Sequence, residues 1–358
     1  MPSLKEIKGR INSISSTLAI TSAMKMVASA KLQKAQMAIQ NMLPYERRLH
    51  SMLIDLMGAM NISAAASEDG SVRGSGSAER GFDQSGDRLS LSNRHDLAGM
   101  DGAYSLMAQR EVRKVAIVAF ASNSSLCGAF NSNAIREATA VINEYRASGL
   151  RDSDIVVYSV GRKMAEAMRK LGFPSPADFT KMSDSPSYEA ASALAQELFD
   201  GFVSGRFDKV ELVYNHYKST SSQPTTRQTY LPLSLADATA DLQAGKITDS
   251  ASETDTNKVA EPVGAPVVRQ GSPTTEDLIV EPSKEALIAT LLPKVIRLRI
   301  FTTLLDSAAA EHAARTVAMQ LATDNGNDLL QELTLEYNKG RQQKITSEIL
   351  DLVGGSMQ

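Results

Sequence analysis

The first sixty residues place an apolar side chain at alternating steps of three and four, and this repeat limits the possible folds more than any other feature. A period of 3.5 residues kept over this length points one seam of a helix at a partner helix, as in a left-handed coiled coil. A helix over 3–60 reaches on the order of 85 Å, with a kink expected at Pro44. The seam positions are Leu4, Ile7, Ile11, Ile14, Leu18, Thr21, Lys25, Ala28, Leu32, Ala35, Ile39, Met42, Leu49, Leu53, Leu56 and Met60.

Two polar residues, Thr21 and Lys25, interrupt this seam beside Met24, Met26 and Val27. One interpretation is a polar layer that sets the register of the helix pair. The other is a segment that leaves the pair and contacts another protein. The pattern alone does not choose between them.

The end of the chain repeats the helical pattern. Pro293 is the single proline between residues 284 and 353, and apolar residues in this segment step by three and four. A continuous helix here would form a rod on the order of 100 Å. Two rods at opposite ends of a chain can pair antiparallel when a globular domain lies between them. The stepping residues include Leu291, Val295, Leu298, Phe301, Leu305, Leu330, Leu333, Tyr337, Ile345, Ile349 and Leu352.

Short apolar runs and helical stretches alternate in the middle of the chain. The runs 115–120, 155–160 and 210–214 predict strands, and 226–231 adds a further one. Helical patterns cover 134–145, 162–171 and 187–203. The alternation predicts a Rossmann-like α/β domain with a mostly parallel sheet.

Two polar segments divide these units. One, 61–110, is rich in Gly and Ser; the other, 236–276, is rich in Asp, Thr, Ser and Ala. Both predict flexible insertions. The expected organisation is an N-terminal shaft helix (1–60), an insertion (61–110), the α/β domain (111–235), a second insertion (236–276) and a C-terminal shaft helix (277–358).

Composition excludes several classes of protein. A single cysteine, Cys127, excludes an internal disulfide framework and a four-cysteine zinc site. The net charge of −3 provides no bulk attraction for nucleic acid or anionic lipid, although residues 1–50 carry an excess of six positive charges. No apolar run is long enough to span a membrane, and the first residues lack the order of a signal peptide.

The sequence contains no recognisable catalytic or cofactor-binding motif. Neither a P-loop nor a dinucleotide-binding glycine motif occurs, and the four histidines lack metal-ligand spacing. We therefore expect no catalytic residue, no cofactor and no metal. The turn 122–131 follows a predicted strand, and α/β domains bind ligands at turns in this position. Its Ser, Asn and Gly residues also suit an ordinary turn that caps a helix.

Three residues near the end of the chain form a possible donor cluster. Gln342 and Thr346 share one face of the last helix, and Arg341 flanks it. They are either a solvated face or a group that binds carboxylates of a partner, since Arg forms bidentate charge-assisted bonds.

Long motifs at both termini resemble the gamma subunits of F-type ATP synthases. The N-terminal likeness covers residues 7–11 and 20–32. The C-terminal likeness covers 311–315, 318–319, 322–325, 333–338, 341–342, 345–349 and 354–355.

The resemblance implies a central rotor shaft that couples rotation of a membrane ring to ATP synthesis or hydrolysis. Its partners would be the alpha and beta subunits of a hexamer, the epsilon subunit and the proton-driven membrane c-ring. It would lie at the cytoplasmic face of the bacterial inner membrane as a peripheral subunit, with no lipid insertion and no nucleic acid partner.

The same resemblance assigns contact residues. Met24, Lys25 and Val27 match the N-helix segment that faces the beta subunits, and Arg341, Gln342 and Thr346 match the opposing C-helix segment. Glu281, within 277–282, matches the contact with the ring.

The chain departs from the family at three places. The turn after the first strand reads Ser-Asn-Ser-Ser-Leu-Cys-Gly at 122–128, without the acid and base that the family carries there. Both insertions exceed the usual bacterial length, and we expect them to brake the shaft or contact the stator. The second insertion has no cysteine, which excludes the thiol regulation of chloroplast relatives.

Two other functions are the alternatives to a rotor shaft. They are a nucleotide-dependent enzyme built on the α/β domain and a generic coiled-coil scaffold.

Overall fold

A computed structural model of the chain describes residues 3–68, 106, 110–233 and 284–355. Its two longest elements are the helices α1 (Leu4–Glu68) and α6 (Lys284–Gly355). Between them the chain forms β1 (Val115–Phe120), α2 (Phe130–Ala147), a 3-10 turn (Asp152–Asp154), β2 (Ile155–Val160), α3 (Arg162–Lys170), α4 (Thr180–Asp184), α5 (Tyr188–Val203), β3 (Lys209–Asn215) and β4 (Thr225–Leu231).

The predicted seam of α1 is confirmed. Every seam residue from Leu4 to Leu56 is buried or half-buried, including the polar Thr21 and Lys25. The helix continues through Pro44 as one element and extends to Glu68, so that 61–68, which the sequence assigned to the insertion, are helical. Three consecutive alanines lie in this extension, and alanine has the highest helix propensity.

Helices α1 and α6 pack antiparallel as a coiled coil. The side chain of Leu18 lies against Gly326, and that of Leu4 lies against Gly340. The last turns of α6 behave differently from the sequence expectation, because Ile345, Ile349 and Leu352 continue the apolar stepping but are exposed. The physical reason is that α1 begins at Leu4, so it has no residue opposite this part of α6.

The four strands form one mixed sheet in the order β2-β1-β3-β4. The pairs β1 with β2 and β1 with β3 are parallel, and β4 is antiparallel to β3. Parallel neighbours need crossover connections, which α2 and the segment α3 to α5 supply. The Rossmann-like prediction therefore holds, with one antiparallel edge strand.

Alternate residues of β1 enter two separate cores, as the period of a strand requires. Val115, Ile117 and Ala119 face α2 and α3. The other three residues of the strand face α5, the second half of α1 and the first turns of α6. The coiled coil therefore leaves directly from one face of the sheet.

Candidate functional site

The register of the coiled coil decides which surface residues lie at the same level. The Oγ1 atoms of Thr21 and Thr323 are 3.1 Å apart, and Leu18 lies against Gly326. This register places Lys25 opposite Met319, which is buried. Of the two interpretations of the polar interruption, the geometry favours the register-setting layer for Thr21, since its hydroxyl points into the seam.

Three of the predicted contact residues form what we call the N-helix patch: Met24, Lys25 and Val27. Met24 is 39% exposed and Val27 is 58% exposed, whereas Lys25 is half-buried. The next residue, Ala28, is buried in the coil. Apolar exposure continues around the shaft at this level through Ile20, Met26 and Leu321. Exposed apolar side chains at one level of a helix pair are available for contact with another protein.

The other predicted contact residues form the C-helix patch: Arg341, Gln342 and Thr346. All three are exposed, and Thr346 Oγ1 donates 2.9 Å to the backbone oxygen of Gln342. Within the described part of the chain no carboxylate lies within salt-bridge distance of Arg341, so its guanidinium is available to an acidic partner.

The structure does not bring the two patches together, and this corrects the expectation that they oppose one another. Gly340 lies beside Leu4, so Arg341 lies at the start of α1 rather than opposite Lys25. Arg341 is about 33 Å farther along α6 than the residue facing Lys25, at about 1.5 Å per residue. The patches therefore occupy two levels of one shaft.

The turn after β1 docks on the coiled coil at the level of the N-helix patch. Arg315 of α6 donates 2.7 Å to Ser124 Oγ, and a Cβ on Gly128 would lie 3.8 Å from Cβ of Ala318. Leu126 has a φ of 68° and is 58% exposed. A leucine held in the left-handed region and pointed at solvent is unusual. No sequence motif predicted its exposure.

The crevice above the parallel strands, where α/β domains bind ligands, is filled by the chain itself. Cys127 and Phe130 pack against Ala310 of α6, and Asn215 Nδ2 donates 3.1 Å to the backbone oxygen of Phe130. Asn131 Oδ1 accepts from the backbone nitrogen of Ser122 at 2.9 Å. The geometry matches an ordinary turn at 122–131 but not the expected cap, because the N-cap residue of α2 is Ala129 and no side chain caps the helix there.

A shallow cleft of about 510 Å³ lies between α3 and the segment 174–179. Its charged lining residues are Arg162, Arg169, Glu166 and Asp178. Their charges cancel, so the cleft attracts neither anions nor cations by net charge.

Two titratable residues of the motif at 311–315 lie inside the shaft. Glu311 is buried, which raises the pKa of its carboxyl, and it pairs with Arg315 at 2.7 Å. Burial and the nearby charge of Arg315 lower the pKa of His312 to about 4, so His312 is neutral at pH 7. Both residues therefore belong to the packing of the shaft.

Other expected sites lie outside the described residues, among them Glu281, the segment 236–276 and most of 61–110. Within 3–68, 106, 110–233 and 284–355 no group of three or more His, Cys, Asp or Glu is arranged to hold a metal ion. None of the helices in these ranges is long and apolar enough to cross a membrane.

Comparison with known sequences identifies close relatives over the full length. The family model described as ATP synthase matches residues 3–357. The chain is 47% identical to the ATP synthase gamma chain of Phocaeicola vulgatus over 357 residues, with 100% of each chain covered. It is 44% identical to that of Bacteroides thetaiotaomicron over 358 residues, again with 100% of each covered.

Solved structures share the fold. The chain superimposes on one from the Euglena gracilis mitochondrial ATP synthase, OSCP/F1/c-ring, in rotational state 3, with a TM-score of 0.52 and 18% identity. The superposition covers 99% of this chain and 93% of the other. The two chains therefore share the fold, with long paired terminal helices and a central sheet, although their sequence identity is low.

Proposed function

The chain belongs to the family of ATP synthase gamma chains, and we propose that it is the rotating central shaft of a proton-translocating F-type enzyme. The observation that supports this most strongly is the coiled coil of α1 and α6, whose helices have 65 and 72 residues. A rod of this length attached to one face of a sheet suits the transfer of torque between two distant sites. Its partners are the alpha and beta subunits, the epsilon subunit and the membrane c-ring.

The mechanism needs no catalytic residue on this chain. An asymmetric shaft that turns inside a hexamer presents a different face to each beta subunit in succession. A contact changes the nucleotide affinity of a beta subunit only if it is stronger in one beta conformation than in another. The chain is a subunit of an enzyme complex, and we assign it a non-catalytic role in that complex.

The two patches are the proposed contacts with the beta subunits. In the N-helix patch, Met24 and Val27 offer apolar contact, and Lys25 adds a positive charge at the edge of the seam. In the C-helix patch, Arg341, Gln342 and Thr346 supply donors for acidic loops. The positive excess of residues 1–50 favours the same acidic partners.

At the other end of the shaft we assign the ring contact to Glu281, and we place the complex at the cytoplasmic face of the bacterial inner membrane. The chain is peripheral there. The insertions 61–110 and 236–276 brake rotation or touch the stator in this proposal. Deleting each insertion separately tests this role: unchanged rates of hydrolysis and synthesis in the assembled enzyme would contradict it.

Rotation can be observed directly in the complex assembled from this chain and its own alpha, beta and epsilon subunits. Cys127 is buried, so a substitution Lys170→Cys at an exposed position of α3 gives a selective attachment point for a bead. We expect unidirectional, ATP-dependent rotation of the bead. Assembly without rotation, or hydrolysis that is the same with and without this chain, would refute the proposal.

Two simpler alternatives remain distinguishable in the same preparation. A nucleotide-dependent enzyme would bind ATP at micromolar concentration when the purified chain is titrated calorimetrically. A passive scaffold would assemble with the other subunits but would leave their hydrolysis unregulated. The filled crevice at Cys127 and Phe130 argues against the first.

A further inference from the structure

The turn between β3 and β4 reaches across to the C-terminal shaft helix. His216 Nδ1 lies 2.6 Å from Asp306 Oδ2 of α6. The backbone nitrogen of Tyr217 donates 2.8 Å to the other oxygen, Oδ1, of the same carboxylate. One side chain of α6 therefore holds two consecutive residues of the turn.

The same turn also reaches the N-terminal shaft helix. Gln36 Nε2 of α1 donates 2.7 Å to the hydroxyl of Tyr217. Tyr217 packs against a buried cluster formed by Leu32 of α1 with Ala309 and Ala313 of α6, and against a second one formed by Cys127, Phe130 and Ala310. Tyr217 thus lies between the two helices, and it joins both of them to the end of the sheet.

We propose that His216 and Tyr217 form a clamp that couples the α/β domain to both shaft helices, and that the clamp loosens as pH rises. The proposal rests on the rotor function above and adds a coupling element to it. Torque applied to the α/β domain reaches the coiled coil through packing at the base of the shaft and through this turn. The turn after β1 contacts α6 farther along the shaft, at Arg315 and Ala318. The turn at His216 and Tyr217, however, hydrogen-bonds both helices, so losing it weakens the attachment of the domain to the helix pair.

The charges around the clamp set the direction of its pH response. The hydrogen bond to Asp306 raises the pKa of His216, and the nearby Lys218 opposes this shift. On α1, Gln36 donates to Tyr217, and Leu32, Ala35 and Ile39 belong to the cluster that includes it; none of these residues titrates. A histidine with a raised pKa contributes its full stabilisation below about pH 6.5, its ordinary value. That contribution is lost as pH rises through the raised pKa.

Hydrogen exchange on the full-length chain measures the clamp without requiring assembly. The probe is the peptide that contains the Tyr217 amide, read at pH 6 and pH 8.5 after correction for the intrinsic exchange rate. We expect protection in the wild type to fall by roughly fivefold at the higher pH, as suits a charge-assisted hydrogen bond at a half-exposed site.

Substitutions separate the proposal from ordinary loop motion. His216→Lys keeps a positive charge at both pH values and should show no fall in protection. In Asp306→Asn the Tyr217 amide should be poorly protected at both pH values. Ser221→Ala, in the same turn, is the control and should show the protection of the wild type. The proposal would be overturned if protection of the Tyr217 amide fell with pH in His216→Lys as much as in the wild type. It would also be overturned if Asp306→Asn were as well protected as the wild type.

The coupling role is tested in the assembled enzyme by the ratio of protons pumped to ATP hydrolysed. Tyr217→Phe removes the hydroxyl that Gln36 binds, and we expect this variant and Asp306→Asn to lower the ratio. His216→Lys should retain the wild-type ratio at pH 8.5 or exceed it. Variants that assemble and keep the wild-type ratio would refute the clamp but leave the rotor function intact. Failure of the wild-type chain to support pumping would instead refute the rotor function.

Discussion

Thr21 and Thr323 face each other across the coiled coil, with their Oγ1 atoms 3.1 Å apart. This contact lies within a seam that is otherwise mostly apolar, so it distinguishes one register from those shifted by a heptad. A shift by one heptad would place Thr323 opposite Ile14 or Ala28, so at least one of the two hydroxyls would face an apolar side chain. This costs free energy because a buried polar group loses its hydrogen bonds to water. The pair therefore fixes which residues of the two helices share a level.

Thr21→Val tests this polar layer, because valine keeps the shape of threonine and removes the hydroxyl. We expect each of Thr21→Val and Thr323→Val to lower the free energy of unfolding by about 1 kcal/mol. The double variant should lose less than the sum, since two apolar groups then face each other. Urea unfolding followed by circular dichroism measures the difference.

Thr17→Val is the matched control for this cycle. Thr17 is exposed, and its hydroxyl bonds only to the backbone oxygen of Ser13 on the same helix. Its substitution should change stability by less than half as much as that of Thr21. Strictly additive losses in the double variant would show that the threonines do not interact across the coil.

A second prediction concerns the turn from β2 into α3. Gly161 has a φ of +99°, and a Cβ there would lie 2.0 Å from the backbone oxygen of Ala121. Gly161→Ala therefore forces the backbone to move, and we expect a loss of at least about 3 kcal/mol in the free energy of unfolding. Differential scanning calorimetry of the purified chain would measure it.

Gly172→Ala is the natural control for Gly161→Ala. Gly172 has a similar φ of +91°, but no heavy atom lies within 4 Å of the position of a Cβ. Its substitution should cost only the backbone strain, about 1–2 kcal/mol. Equal losses in the two variants would mean that the contact with Ala121 has no energetic effect.

A third prediction concerns the buried carboxylate of Glu211, whose side chain is 2% exposed. Arg227 donates to both of its oxygens, at 2.7 and 3.1 Å, and Lys209 and Tyr145 reach Oε1. Arg227 also pairs with Glu144 of α2. These contacts attach the antiparallel edge strand β4 to β3 and α2. Arg227→Ala should destabilise the chain by about 2–4 kcal/mol, because it leaves a buried charge with one cation in place of two.

The pH response of Glu211 has a definite sign. Burial by itself would raise the pKa of Glu211, but the hydrogen bonds from Arg227, Lys209 and Tyr145 outweigh burial and lower it. The stabilisation is therefore present above about pH 4.3, the ordinary value, and is lost as pH falls through the lowered pKa. The stability difference between the wild type and Glu211→Gln should shrink below pH 4. A difference that stays constant to pH 3, or a loss for exposed Arg136→Ala as large as for Arg227→Ala, would contradict this account.

Local sequence patterns predicted most of the fold. The seam of α1 follows from its 3.5-residue period, and the apolar runs 115–120 and 155–160 gave the observed bounds of β1 and β2. Such features depend on residues that are close in the chain. The exposure of the end of α6 could not be predicted from the sequence, since apolar stepping at Ile345 and Ile349 does not reveal where the partner helix begins.

Contacts between distant residues could not be predicted in the same way. A heptad pattern repeats every seven residues and does not specify which heptads pair, so the expected opposition of Lys25 and Arg341 was wrong. The clamp joins His216 to Asp306 across 90 residues of sequence, and neither residue lies in a recognisable motif. The exposure of Leu126 depends on its positive φ, which the sequence around it does not require.

The separation of the two patches leads to a final prediction about the assembled enzyme. The patches lie about 33 Å apart along α6, at about 1.5 Å per residue, and groups this distant act independently when they share no partner. We expect Met24→Ala with Val27→Ala, and Arg341→Ala with Gln342→Ala, each to reduce the hydrolysis rate several-fold. Combining all four should multiply the two effects, because each patch meets beta at its own level. Met37→Ala, which alters an exposed methionine of α1 outside both patches, and Lys344→Ala, beside the C-helix patch, serve as controls and should retain the wild-type rate. A combined loss no larger than that of either patch alone would indicate that the two act on one shared beta contact.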